Sequence, residues 1–521
     1  MNLYTSKLLF SALLLTSFST FAQSELDAIR YSTNTITGTA RSLGAGGAFS
    51  AVGGDMSAGS LNPAGFGLYQ FSDLTFTPTF RMVNNNNSFL NKSVETTQTP
   101  FQFSNIGAAF TVNKDNDREH KLKNITFALG YNQVENYTKG AYSSGYNEKS
   151  SITDFFVQRA NGTAASQLNP NSYAGLAYNT YLIDNVDGSN SIYYPMVNNG
   201  RVQQTIDMVQ SGRKNEWFFS MAGNWDNKLY LGASMGISSL RYNYELNVIE
   251  TDINNLHQQW QTTQGNTQAP MKHLEFNDAY ATTGSGVNFQ GGIIYRPIEN
   301  LRLGLSFKSP TILSLKDEYQ TTMKNTPDSG AFIPNTPFIE RISEDGVYNY
   351  TLRTPYNVTA GAMYLFGKRG FISADVDVTD YKTIAFREGE DGYNFSDENK
   401  KIRQYTNLGI NYRLGAEARL KAFRLRAGFA MFASPVNKDI LSYQQNINDL
   451  AVYTPINPNR RVLSFGAGYR QKSYYIDVAF INQNQTERFD PYTLTTQGSF
   501  TPSIINKRVV NSVVATMGVS W

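Results

Sequence analysis

Three histidines, His120, His257 and His273, and no cysteine are all this chain offers for imidazole or thiol chemistry. A hydrolase built on a β-wall needs a nucleophile beside a base on neighbouring strands. All three histidines read as turn or loop positions, so the chain is not expected to be an enzyme. No metal site and no bound cofactor are expected either. Axial haem ligation draws on His, Cys, Met or Tyr; the histidines read as surface residues, which leaves the tyrosines for that role. The stretch Gly38–Leu68 is rich in glycine, as a phosphate-cradling loop would be. It lacks the G-K-[ST] ending, and G-x-G-x-x-G followed by a helix and an acid is also missing. Its glycines suit close packing in a confined space instead. Within it, Asn62-Pro63-Ala64-Gly65 combines a stiffened turn with an amide that can bond nearby backbone.

The elements around that stretch alternate with period two. In Asn511–Trp521, Val513, Ala515, Met517, Val519 and Trp521 face one way; Val514, Thr516, Gly518 and Ser520 face the other. Leu301–Lys308 sends Leu303, Leu305 and Phe307 outward, with Arg302 and Lys308 inward. Phe371–Val378 places Asp375 and Asp377 inward. Leu408–Leu420 does so with Arg413, Glu417 and Arg419, and Phe423–Met431 with Arg424 and Arg426, while Leu425 and Phe429 face out. A soluble sandwich also alternates, so the connections decide. Very short turns (226–228, 297–300, 367–369, 421–422, 471–472) alternate with long polar segments (84–98, 134–215, 247–274, 321–341, 387–400, 436–459, 487–506). That asymmetry is the signature of a transmembrane barrel with short periplasmic turns and long extracellular loops. The count gives an all-β, 14-stranded antiparallel β-barrel running from near Asp73 to Trp521.

Composition agrees. Charged residues are only 17%, while Tyr (32), Phe (33) and Gly (41) are abundant, as aromatic girdles and crowded barrel walls require. A net charge of +3 gives no reason to expect a nucleic-acid partner. Met1–Ala22 reads as a signal peptide, with Lys7, an apolar run Leu8–Leu15 and small residues at Thr20 and Ala22. The expected organisation is 1–22 signal peptide, 23–70 N-terminal plug and 71–521 barrel. The largest extracellular segment, 134–215, reads as a folded lid with an apolar face, partly helical over Ile152–Ala165 and Val202–Met208. An apolar pocket is expected beneath it, beside the plug.

Ala40-Arg41-Ser42-Leu43-Gly44-Ala45-Gly46-Gly47-Ala48-Phe49 with Asn62-Pro63-Ala64-Gly65 resembles the hatch of the FadL family of outer-membrane transporters of hydrophobic compounds. Leu301–Thr311, Thr354–Ala362, Ala374–Tyr381, Tyr412–Glu417 and Leu425–Pro435 resemble its strands, so the similarity runs along nearly the whole chain. The resemblance implies a barrel plugged by an N-terminal hatch, with Asn62, Pro63, Ala64 and Gly65 in gating; that Asn62, Pro63 and Ala64 only anchor the plug is the equal alternative. It also implies capture by extracellular loops, an internal pocket and lateral release beside a kinked strand. The implied ligand is a hydrophobic small molecule, most simply a long-chain fatty acid, carried passively by a monomer surrounded by outer-membrane lipid. A general porin lined by the nine inward charges is the alternative, as is a haemin or aromatic-hydrocarbon receptor on the same fold.

Overall fold

The computed structural model describes residues 25–114, 121–186, 188–197, 199–257, 260–261, 267–268, 271–327, 337–389, 392–437, 450–455, 459–496 and 499–521. The signal-peptide reading and His120 lie outside them. Fourteen strands form the wall: β1 Asp73–Phe89, β2 Phe101–Asn113, β3 Leu122–Asn136, β4 Val202–Trp225, β5 Leu229–Thr251, β6 Met271–Ile298, β7 Leu301–Lys308, β8 Asn357–Leu365, β9 Gly370–Asp380, β10 Leu408–Leu420, β11 Phe423–Phe432, β12 Arg460–Arg470, β13 Tyr474–Tyr492 and β14 Ile504–Ser520. Each pairs antiparallel with the next. β14 returns to β1, from Asp73 opposite Ser520 to Ser88 opposite Ile505. The sheet is therefore closed, and no edge is left unpaired in lipid.

Side-chain parity follows the alternation. Leu303, Leu305, Phe307, Leu425, Val513, Met517 and Val519 are exposed on the outer wall, whereas Asp375, Asp377, Arg413, Glu417 and Arg426 are buried inside. On β5 the outward residues are apolar up to Ile237 and polar from Ser239 through Asn247. That apolar stretch matches the roughly 9–11 residues a tilted strand needs to cross a bilayer. The longer strands therefore rise beyond the membrane. The tight turns sit at the opposite end, for example Asp226–Asn227, both at φ 54.

Several segments expected to be loops are strand. Asn84–Gln98 forms a hairpin, with the strand Lys92–Gln98 folded back on β1 from Val83 opposite Gln98 to Phe89 opposite Lys92. Thr321–Pro327, the start of the expected segment 321–341, continues the strand Ile312–Pro327, which with Gly346–Arg353 extends the wall outward. Val202–Met208, expected to be helical, is the start of β4 and pairs with the strand Lys139–Asn147. Outside the bilayer there is no lipid-facing side to mark, so these strands carry too little alternation to declare themselves.

The lid is real, with helices α4 Ile152–Ala160 and α5 Tyr173–Asn179. Ser151 caps α4 in a reciprocal capping box with Asp154. Phe155, Phe156, Leu176 and Leu182 are buried in one cluster with Phe276, Tyr492 and the N-terminal residues Ala28 and Tyr31. The apolar core thus sits under the lid, at the extracellular end of the lumen.

Candidate functional site

Residues 25–69 occupy the lumen as short elements, among them α1 Glu25–Ser32, α2 Ala40–Gly44, α3 Ala58–Leu61 and a 3-10 turn Pro63–Leu68. Thr39 caps α2, and Asn62 caps the 3-10 turn by accepting from Ala64 N at 3.1 Å. The Asn62 amide also donates to Ser50 O (2.8 Å) and to the wall carbonyls of Ile293 (3.2 Å) and Leu305 (3.4 Å). The wall must come very close here. A Cβ on Gly292 would stand 1.9 Å from Asn62 Oδ1, and one on Gly232 would stand 2.4 Å from the carbonyl carbon of Pro63. Asn62-Pro63-Ala64-Gly65 is fully packed against β5, β6 and β7, as an anchor would be.

Three of the nine inward charges, Arg302, Asp375 and Glu417, bond this segment directly, and most of the others bond one another. Asp375 accepts from Ser50 N (3.0 Å) and Ser50 Oγ (2.6 Å), and Arg413 links Asp375 (3.3 Å) to Asp377 (2.7 Å). Arg302 donates to Val52 O at 2.8 Å. Glu417 gathers Arg41 of the segment (3.5 Å), Arg419 (3.0 Å) and Arg426 (2.8 Å), and Arg426 continues to Asp477 (2.7 Å). Burial works against the Arg41 charge, but Glu417 and then Asp55 outweigh it and hold its pKa above the ordinary value. Arg424 stands apart, donating to the carbonyls of Lys421 and Phe423 at the turn end of β11. Lys308 lines the cavity described next, as Arg413 and Asp377 do, and pairs there with Glu216 at 2.8 Å.

A cavity of about 380 Å³ lies between the segment and the wall. The expected apolar pocket is not what the lumen holds. Leu26, Ile29, Ile36, Leu61, Phe432 and Val436 do contribute apolar surface. The same cavity is also lined by eight cations (Arg30, Arg81, Lys139, Lys214, Lys308, Arg413, Arg460, Arg508) and only four acids (Glu135, Glu216, Asp377, Glu487). The side chains of Arg460 and Arg508 each keep a buried Nε without a partner. Arg460 also stacks over the Phe432 ring at 4.7 Å, so a cation and an apolar face meet on one wall. Arg30 comes from α1 and the other cations from strands scattered along the chain, of which only Lys308 and Arg413 read as lumenal from sequence.

Above the cavity the lid is latched by a buried acid. Glu250, beyond the lipid-facing part of β5, accepts from Ile152 N (2.8 Å), Gln204 Nε2 (2.6 Å) and Ser151 Oγ. Burial, opposed by those bonds, pushes its pKa up to about 7. Burial likewise raises neighbouring Asp154 to about 6.

Of the histidines, His257 bonds Gly200 O at 2.9 Å in an extracellular loop. His273 falls in strand β6, contrary to expectation. Its ring contacts Thr251 Oγ1 (2.9 Å) and Glu275 (3.3 Å) on the outer face, away from the lumen.

Register shifts occur between β3 and β4 and between β6 and β7, and a further one falls beside a proline of β1. The ladder between β1 and β2 shifts at Thr77/Pro78, and pairing with β14 jumps from Phe76 opposite Met517 to Thr79 opposite Val514. Proline has no N–H to donate and breaks a ladder wherever it sits. Exposed Phe76, Phe80, Phe101 and Phe103 surround the break on the lipid side. Behind it, Ala40 N donates to Thr516 Oγ1 at 2.7 Å.

The closed fourteen-strand barrel has counterparts among solved structures. A solved Pseudomonas aeruginosa FadL homologue superposes with a TM-score of 0.54 at 12% identity, covering 93% of this chain and 99% of that one. The chain has the FadL-type outer-membrane fold. The Pseudomonas putida toluene transporter TodX superposes with a TM-score of 0.50 at 12% identity, over 94% of this chain and 99% of that one. No family model matches the sequence, and no curated protein does. Within this frame residues 25–69 fill the lumen.

Proposed function

We propose that this protein carries hydrophobic small molecules passively through the outer membrane, and that its ligands are amphiphiles with a negative head, of which a long-chain fatty acid is the simplest. The observation that carries this reading is the cavity lining, where eight cations face four acids beside an apolar strip. An anionic head bound there would meet the guanidiniums of Arg460 and Arg508, which line the cavity, and each charge-assisted bond is stronger than a neutral one. Burying the chain adds roughly 25 cal/mol per Å2. A neutral aromatic hydrocarbon, the cargo named for TodX, would leave those guanidiniums unmatched.

The lid captures the ligand, the cavity holds it, and the break at Pro78 lets it leave sideways into lipid. Asn62 to Gly65 anchors the hatch on β6 and β7, across the barrel from the break. The moving part is the stretch from Ile36 to Ala40, where Thr516 holds only one backbone amide. The porin reading loses its footing, because most of the charges it would need for a wet pore are spent on the hatch or on one another.

The test is uptake by cells. Pro78→Val, which restores a ladder donor, is expected to slow entry of a long-chain fatty acid while the barrel still assembles. Unchanged fatty-acid entry with faster sugar entry would overturn the reading.

A further inference from the structure

On the outer wall, β4, β5, β6 and the strand Ile312–Pro327 pair so that their outward residues form parallel rows. Trp217 stands opposite Ile237, Ile237 opposite Val287, and Val287 opposite Ile312; this row closes the apolar band at its extracellular edge. The next outward row is Asn215, Ser239, Ser285 and Ser314. The row beyond that is Arg213, Arg241, Thr283 and Lys316, all exposed.

Arg213 and Arg241 are direct cross-strand partners, and like charges so placed repel. Among the described residues neither guanidinium pairs with a carboxylate. Lys316 reaches Glu318 at 2.5 Å. The acids of this facet, Glu318, Glu245, Asp207 and Glu275, all lie beyond the cation row, on the side away from the membrane. Charge is thus sorted by depth. Cations border the lipid, with hydroxyls and an amide between them and the apolar edge. Tyr131 stiffens the corner by donating to Asn215 Oδ1 at 2.7 Å, with its ring 5.4 Å from Trp217.

We infer that this facet binds a phosphorylated glycolipid of the outer leaflet. Its acyl chains would lie on Trp217, Ile237 and Val287, and its sugar would meet the serine row. A phosphate would bridge Arg213 and Arg241, whose side chains start about 5 Å apart on paired strands and can close on one oxyanion. The site is on the opposite side of the wall from the lumen, so its failure would leave the transport reading untouched.

Native mass spectrometry of the purified full chain tests this with three probes: bisphosphorylated lipid A, its dephosphorylated form and phosphatidylglycerol. Wild type is expected to retain bisphosphorylated lipid A well above the other two. Arg213→Ser with Arg241→Ser should weaken retention roughly 30-fold, the scale set by two near-surface cations on an anionic headgroup. Lys316→Ser should weaken it less. Heat-modifiable gel migration reports folding; should the double variant fail to fold, Arg241→Ser alone supplies the comparison. Equal retention by a folded variant would overturn the assignment, as would equal retention of the dephosphorylated lipid or of phosphatidylglycerol.

Discussion

Arg41 of the hatch and Glu417 of β10, 376 residues apart in the chain, meet inside the barrel at 3.5 Å. Glu417 is the acid on which Arg41, Arg419 and Arg426 converge, and its side chain is only 1% exposed. Removing one partner of a buried ion network leaves uncompensated charge and costs about 3–5 kcal/mol. Glu417→Gln is therefore expected to lower the unfolding midpoint in denaturant and to loosen the hatch. An unchanged midpoint would mean that the network contributes nothing.

Gly292 is where the wall yields to the hatch. A methyl group there would collide with Asn62 Oδ1 at 1.9 Å. In Gly292→Ala the barrel should still close, since its ladder with β5 and β7 is untouched, but the anchor should be displaced. Planar-bilayer recordings are expected to show larger or more frequent ion-conducting openings than wild type. Identical conductance would show that Asn62 is not an anchor.

The latch at Glu250 gives the lid a pH dependence whose sign follows from burial. Glu250 and Asp154 are raised to about 7 and about 6 in the folded state. The folded lid therefore binds protons that the open one releases. The stability these acids contribute is full below their ordinary carboxylate range and is lost as pH rises through about 7. Amide exchange in α4, corrected for intrinsic rates, should show weaker protection at about pH 8 than at about pH 5. Glu250→Gln should flatten most of that slope. Constant protection across the range would remove Glu250 from the latch.

Much of the barrel was legible because lipid enforces parity. Leu303, Leu425 and Val519 could only face out, and Arg413, Glu417 and Arg426 could only face in. Short turns such as 226–228 are local and carry their own signal. Beyond the bilayer that constraint lapses. Asn84–Asn87 and Val202–Met208 were read as loop and helix, yet they are strand. The cavity was hidden for a different reason. Arg81, Lys139, Arg460 and Arg508 come from four separate strands, and only closure of the barrel brings them to one wall. The break at Pro78 lay in plain sight but meant nothing until its neighbours on β2 and β14 were known.

The most direct test of the account is equilibrium binding to the purified protein of a long-chain carboxylate and of its methyl ester, which share a chain and differ in charge. The carboxylate is expected to bind about tenfold tighter or more, the scale of one charge-assisted contact. That preference should vanish in Arg460→Gln with Arg508→Gln, while ester binding is unchanged. Equal affinity of wild type for acid and ester, or tighter binding of toluene than of the acid, would contradict it.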